Sequence, residues 1–403
     1  MRVTTDERVV RRHERDLVGL CREAKRGGIT RRQFIERALV LGLSATAVGA
    51  LAGACGDEGP EPAPPTPGID PMDETKPVEI VFFNWYDYID PAIKRDFRRE
   101  TTIKVVEQNP GGEELLAKLK AGAVGLDVVC VSDYLVSIMR KSDLLEPLDM
   151  SYLPNFRHVS ELLRSPSCDD PAAQGGLRYS TPYFYGLTGY CQRLDKVAEP
   201  QASWDALWDP RHKGQINLLD DERECLGMAL KRLGYSVNTT DQSELDEATA
   251  DLIEQKPLVA AYDSVNMKRA MRRGQSFVMC WDGDVRQVLA TTGDDEAKGL
   301  LHWVVPEEGC SRWADQLLVP TGRNSRYGAH LFMDFLMRPD IAGRNASYIR
   351  YLSPIAPASW EFTDAEALLL QPTDDEMARS ELLDDVGEFA TAYGEAWRQV
   401  KSA

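Results

Sequence analysis

Val78-Glu79-Ile80-Val81-Phe82-Phe83-Asn84-Trp85-Tyr86-Asp87-Tyr88 reads as a short buried strand that runs into an aromatic and acidic loop. Its β-branched and aromatic run is too short for a helix and stops at polar Asn84. Pro91 suits a first helical turn, and Ile93 and Phe97 predict a helical face lasting to about Glu100. Ile103 to Glu107 reads as a second strand. Glu113 to Ala121 reads as a helix with Leu115, Leu116 and Leu119 on one stripe, and Asp127-Val128-Val129-Cys130-Val131 as another buried strand. Strands alternating with helices predict an α/β fold with a mainly parallel sheet, whose ligand crevice lies beyond the strands' carboxyl ends.

That rule selects candidate site residues. Trp85, Tyr86, Asp87 and Tyr88 follow the first strand, and Ser132, Asp133 and Tyr134 follow the strand ending at Val131. Any one such aromatic residue reads more simply as a core cap; clustering at two crevice positions favours a binding role. A second α/β block begins with strand Gln215 to Leu219. It leads into Asp220, Asp221 and Glu224 and then a helix through Leu226, Leu230 and Leu233, so two lobes are expected. Asp221-x-x-Glu224 fits a helix capping box and a ligand-facing carboxylate pair equally well. Phe277 to Asp284 reads as a strand entering an aromatic-acidic turn that carries Trp281 and Asp284. Trp313-Ala314-Asp315 reads as a segment preceding a strand from Gln316 to Pro320.

Upstream, the chain carries an address. A basic stretch containing Arg31 and Arg32 precedes an uncharged, Ala- and Gly-rich run from Ala38 to Ala54 that stops at Cys55. The run falls short of the ~20 apolar residues of a spanning helix, which favours a cleaved signal over an uncleaved anchor. Arg31-Arg32 resembles a twin-arginine export motif, and Leu51-Ala52-Gly53-Ala54-Cys55 resembles a lipoprotein cleavage box with Cys55 as the lipidated residue. Residues 56–77 are dense in Pro, Gly, Asp and Glu, a composition suited to an extended tether. The expected organisation is therefore 1–55 export signal, 56–77 tether, 78–184 plus 312–350 first lobe, and 185–311 plus 351–403 second lobe with C-terminal helices.

Composition narrows the function. The chain has 403 residues and a formal net charge of -17, which disfavours nucleic acid as a partner. Eight cysteines at 21, 55, 130, 168, 191, 225, 280 and 310 show no C-x-x-C pair and no histidine at metal-ligand spacing, so no metal and no cofactor is expected. Their pairing stays open at this level. No G-x-S-x-G elbow occurs, and His13, His158, His212, His302 and His330 lie outside the acidic-aromatic clusters, which argues against an exported hydrolase.

Over nearly all of Val78 to the C-terminus the chain resembles the bacterial spermidine/putrescine-binding proteins of ATP-binding cassette (ABC) transporters. The blocks that carry the resemblance are Asn84 to Ile89, Glu113 to Gly122, Asp127 to Val129 with Ser132 to Tyr134, Ser203 to Pro210, Asp221 to Glu224, and Ala261 to Ser264. The resemblance implies a type II periplasmic-binding-protein fold, two α/β lobes hinged around a ligand cleft. It also implies a polyamine ligand, an ABC permease as partner, a monomer, and no enzymatic activity. In that family Trp85 and Tyr88 would pack on the ligand chain and Asp87 would pair an ammonium, with Ser132 and Tyr134 lining the same crevice. Asp221 and Glu224 would hold an amine across the hinge, Ser264, Trp281 and Asp284 would complete the wall, Trp313 would stack, and Asp315 would bind a further amine. Asp284 resembles the putrescine-binding branch, whereas a Gln of the spermidine-binding branch is matched here by Leu383. Another cationic or small organic cargo on the same fold, and a sensor that reads polyamine as a signal, are the remaining alternatives.

Overall fold

The computed structural model describes residues 72–109, 112–197, 199–292, 299–355 and 372–403. Arg31, Arg32, Cys55 and the tether as far as residue 71 lie outside the described residues.

The first lobe opens with β1 (Glu79–Phe83), α1 (Pro91–Thr101) and β2 (Lys104–Gln108). Asp90 caps α1 by accepting the Ala92 N–H, Pro91 fills the first turn, and Ile93 and Phe97 are the buried face. Helix α2 (Gly112–Lys120), β3 (Val128–Ser132) and α3 (Asp133–Lys141) follow. β1 lies parallel to both β2 and β3, as the alternation of strand and helix predicts. Asp127 anchors this sheet by accepting the backbone N–H of Val81 at 2.8 Å and that of Asn324 at 2.8 Å.

A long strand, β4 (Ser180–Arg193), then leaves this lobe for the second. There β5 (Ile216–Leu218), α4 (Glu222–Arg232), α5 (Gln242–Gln255), β6 (Val259–Tyr262), α6 (Met267–Arg273), β7 (Phe277–Trp281), α7 (Asp282–Thr291) and β8 (Leu301–Val304) form the second α/β unit. β5 is parallel to both β6 and β7. The chain returns along β9 (Ser311–Leu318) to α8 (Arg326–Leu336) and α9 (Pro339–Ile349). It ends with the short β10 (Glu381–Leu382) beside β9 and with α10 (Ala390–Ser402).

The resulting strand order is β2-β1-β3-β9-β4-β7-β5-β6, with β8 also on β4. Both lobes are parallel at heart, and antiparallel pairing is confined to the hinge strands β4 and β9 and their neighbours. Each hinge strand serves three partners, β4 pairing with β7, β8 and β9, and β9 with β3, β4 and β10. β4 pairs with β9 from Ser180 to Leu187 and then with β7 from Thr188 to Gln192, so its middle belongs to both lobes. A separate apolar core fills each side: Phe82, Phe97, Phe332 and Met333 in the first lobe, Trp204, Leu226, Leu252 and Phe277 in the second. Burial of this apolar surface, at about 25 cal/mol per Å², is what holds each lobe together.

Two local expectations are corrected. Trp313 and Asp315 lie inside a strand rather than before one, because β9 starts at Ser311 and its buried face accepts polar residues. Asp282-Gly283-Asp284 opens α7 instead of forming a turn, since carboxylates in a first helical turn face the positive end of the helix dipole. Cys130, Cys168, Cys191, Cys225, Cys280 and Cys310 are free and buried.

Candidate functional site

The period of two along a strand sets the floor of the cleft. On β9 the residues Ser311, Trp313 and Asp315 share one face, spanning roughly 13 Å at ~3.3 Å per residue. Opposite them on β4, Phe184 pairs with Asp315 and Gly186 with Trp313. Only glycine fits at 186, because a Cβ there would lie 2.6 Å from the Trp313 ring.

At one end of this face stands Asp315, 5% exposed. The Tyr88 hydroxyl donates to its Oδ2 at 2.7 Å and the Ser132 hydroxyl to its Oδ1 at 3.4 Å, while the Trp85 side chain adds a third donor. Burial outweighs these donors and pushes the Asp315 carboxyl up to about 6. The loop after β1 delivers Tyr88 by a left-handed residue, Asp87 with φ 53°, which turns the chain so that Tyr88 points inward. The Tyr88 ring then meets Tyr183, Phe184 and Tyr351 edge-on, at 5.8, 5.4 and 5.4 Å between centroids.

At the other end stands Glu224, in the first turn of α4. The Thr188 hydroxyl donates to its Oε1 at 2.8 Å, the Trp281 indole N–H to the same oxygen at 3.2 Å, and the Ser311 hydroxyl to Oε2. Burial first, and the neighbouring Asp221 charge second, hold the Glu224 carboxyl above the usual carboxylate range. Asp221 caps α4 by accepting the Glu224 N–H at 3.0 Å, so capping and cleft roles coexist in the Asp221-x-x-Glu224 motif. Among the described residues, neither Asp315 nor Glu224 forms an ion pair with a protein cation.

Two further carboxylates are handled differently. Asp282 is paired with Arg286 one helical turn on, both fully buried, and Arg286 also donates to the Arg350 carbonyl at 2.6 Å. Asp284 accepts from the Tyr351 hydroxyl at 2.8 Å and lies 3.5 Å from the Lys268 ammonium.

The structure thus brings Trp85, Tyr88, Ser132 and Asp315 together, and likewise Asp221, Glu224 and Trp281, with Trp313 between the two groups on β9. Tyr351 joins Trp313 to Asp284, its ring 5.5 Å from the indole. Other predicted residues sit apart from the carboxylates. Tyr86 and Asp87 are exposed, and the ring of Tyr134 faces the Arg223 guanidinium at 5.6 Å. Ser264 accepts the Asp220 N–H at 2.8 Å, tying together the loops after β5 and β6. Leu383 is buried and donates its backbone N–H to the Arg312 carbonyl at 3.1 Å. Sequence reasoning missed Thr188, Ser311, Tyr351 and Lys268. Alternation along β9 could have found Ser311; nothing local marks Tyr351, which arrives from the far end of α9.

Two α/β lobes joined by crossing strands, with carboxylates and aromatic rings gathered around those strands, define a hinged solute-binding protein. The profile of the bacterial extracellular solute-binding protein family matches residues 92–368, and the chain belongs to that family, whose members bind solute without converting it. It is 34% identical over 331 residues to the spermidine/putrescine-binding periplasmic protein of Salmonella typhimurium, covering 80% of this chain and 91% of the relative. It is 33% identical to the putrescine/cadaverine-binding protein of Pseudomonas aeruginosa, over 67% of this chain and 76% of that one. The solved structure of the spermidine/putrescine ABC transporter substrate-binding protein PotD from Streptococcus pneumoniae superposes with a TM-score of 0.67 at 29% identity, covering 80% of this chain and 98% of the other. No described helix is long and apolar enough to cross a membrane.

Proposed function

We propose that this protein captures a linear aliphatic polyamine, putrescine or spermidine, outside the cytoplasmic membrane and hands it to an ABC permease for import. The observation that carries this reading is the face of β9: two buried carboxylates served by neutral donors, one at each end, with an indole between them. A polyamine is the complementary object. Its amines are close to lysine in basicity, about 10.4, so it arrives as separated positive charges joined by methylenes. Each buried ammonium needs a carboxylate, worth about 1.5–3 kcal/mol per charged hydrogen bond. Aromatic faces cover the links and add about 0.5–2 kcal/mol by cation–π attraction. The relatives of Salmonella and Pseudomonas support the same ligand class by the solutes in their names.

In this reading Asp315 holds one ammonium, with Tyr88, Ser132 and Trp85 keeping its carboxylate aligned. Glu224 and Asp221 hold another from the second lobe, and Trp281, Trp313 and Tyr351 wall the methylenes. Asp284 and Ser264 complete the second-lobe wall, and Tyr134, Tyr86 and Asp87 border the cleft from the first lobe. Arg31-Arg32 and Cys55 would export the chain and tether it by lipid beside its permease, with 56–77 as the leash and the folded body working as a monomer.

Isothermal calorimetry against putrescine, spermidine, spermine and an uncharged diol of matching length, at low and high salt, tests the proposal. Tight, salt-sensitive binding of a polyamine with none of the diol is expected. Equal binding of the diol, or no polyamine binding at all, would refute it.

A further inference from the structure

Asp284 differs from Asp315 and Glu224 in being closed by a partly exposed cation of the protein's own, Lys268. Asp284 is 4% exposed, and both of its carboxylate oxygens are engaged. Oδ2 accepts from the Tyr351 hydroxyl at 2.8 Å, and Oδ1 faces the Lys268 ammonium at 3.5 Å. That ammonium, on α6, also donates to the Gln287 side-chain oxygen at 2.7 Å, and its side chain stays 30% exposed. Lys268 therefore reaches from the solvent edge to a buried acid, its charge at the end of a flexible four-carbon stem. The Tyr351 ring beyond Asp284 packs on Tyr88 and Trp313, which places the Lys268–Asp284 pair at the border of the Asp315–Glu224 cleft.

A lysine side chain ends in the same alkylammonium that a polyamine carries. We infer that Lys268 is a built-in substitute for one ligand ammonium: it takes up Asp284 and leaves the cleft with two cation-accepting positions, Asp315 and Glu224 with Asp221. This rests on the polyamine reading above and sharpens it to a ligand class, a diamine in preference to a triamine. A third ammonium would have to displace Lys268 from Asp284 or be buried beside it unpaired, and either costs affinity. Selectivity of this kind comes from blocking the wrong ligand as well as fitting the right one.

The test combines two measurements on the full protein and on Lys268→Met, Asp284→Asn and the double variant. In calorimetry, Lys268→Met should raise affinity for spermidine relative to putrescine by at least about tenfold, the size of one charged hydrogen bond. Adding Asp284→Asn should cancel the gain. In thermal melting without polyamine, Lys268→Met should lower the midpoint more in the native background than in the Asp284→Asn background, where only its bond to Gln287 is lost, since a pair is read by its non-additivity. Equal losses in both backgrounds would show that the pair does not form and would overturn the inference. If polyamine binds but the spermidine-to-putrescine ratio does not move, the selectivity is overturned while the polyamine reading stands. If the native protein binds neither amine, the polyamine reading and the selectivity fall together, and the melting cycle still reports the pair.

Discussion

Asp282, at the start of α7, and Asp315, on β9, are both buried, yet the fold treats them in opposite ways. Asp282 carries its own counter-ion, Arg286, locked one helical turn away and fixed again by the Arg350 carbonyl. Asp315 has hydroxyl and indole donors and no protein cation among the described residues, and Glu224 matches it in the other lobe. Neutral donors orient a carboxylate without cancelling its charge. Burying a charge in that condition is expensive, and both groups respond by holding their protons to higher pH. The difference separates two ways of burying a carboxylate: Asp282 is neutralised from within the fold, whereas Asp315 and Glu224 keep a charge that, in the proposed function, a ligand ammonium would neutralise.

Breaking the internal pair has the largest expected effect. Arg286→Met leaves Asp282 charged and alone in the interior, and about 3–5 kcal/mol of stability should be lost in denaturant unfolding. A variant as stable as the native protein would show that Asp282 does not depend on its arginine. Asp315→Asn should do the reverse, leaving the folded protein intact while putrescine affinity falls by about 2–5 kcal/mol in calorimetry. Glu224→Gln should follow it closely, softened by Asp221 alongside. Trp85→Phe keeps an aromatic face and removes one donor among three, so its cost should stay near 1 kcal/mol. If Trp85→Phe proved more damaging than Asp315→Asn, apolar contact would outrank charge pairing and the contrast between the two carboxylates would lose its meaning.

Much of this site was legible in the sequence, for physical reasons that differ by residue. Tyr88, Asp221, Glu224 and Trp281 are legible as candidates because carboxyl ends of strands in an α/β sheet are crevice positions whatever the ligand. Asp315 stands out beside Trp313, but the sequence places it ahead of the strand from Gln316, since β9 tolerates Ser311, Arg312 and Asp315 only through partners on other elements. Tyr351 and Lys268 left no local mark. Their roles come from tertiary placement, Tyr351 reaching both Tyr88 and Asp284, and Lys268 meeting Asp284 across two helices. The parallel heart of each lobe was legible as alternation of strand and helix. The antiparallel hinge was not, because the middle of β4 is buried from both lobes and its sequence carries no period.

Proton linkage addresses the central claim most directly. Asp315 binds its proton more tightly folded than unfolded, so its contribution to the stability of the free protein falls as pH rises from the ordinary carboxylate range through about 6. An ammonium brought against it favours the ionised form and drives that proton off. Calorimetric titration with putrescine near pH 6, in two buffers of different ionisation enthalpy, counts the protons exchanged on binding. Net proton release that shrinks toward pH 8 and is reduced in Asp315→Asn is the predicted result; binding with no exchange, or with proton uptake, would contradict the account.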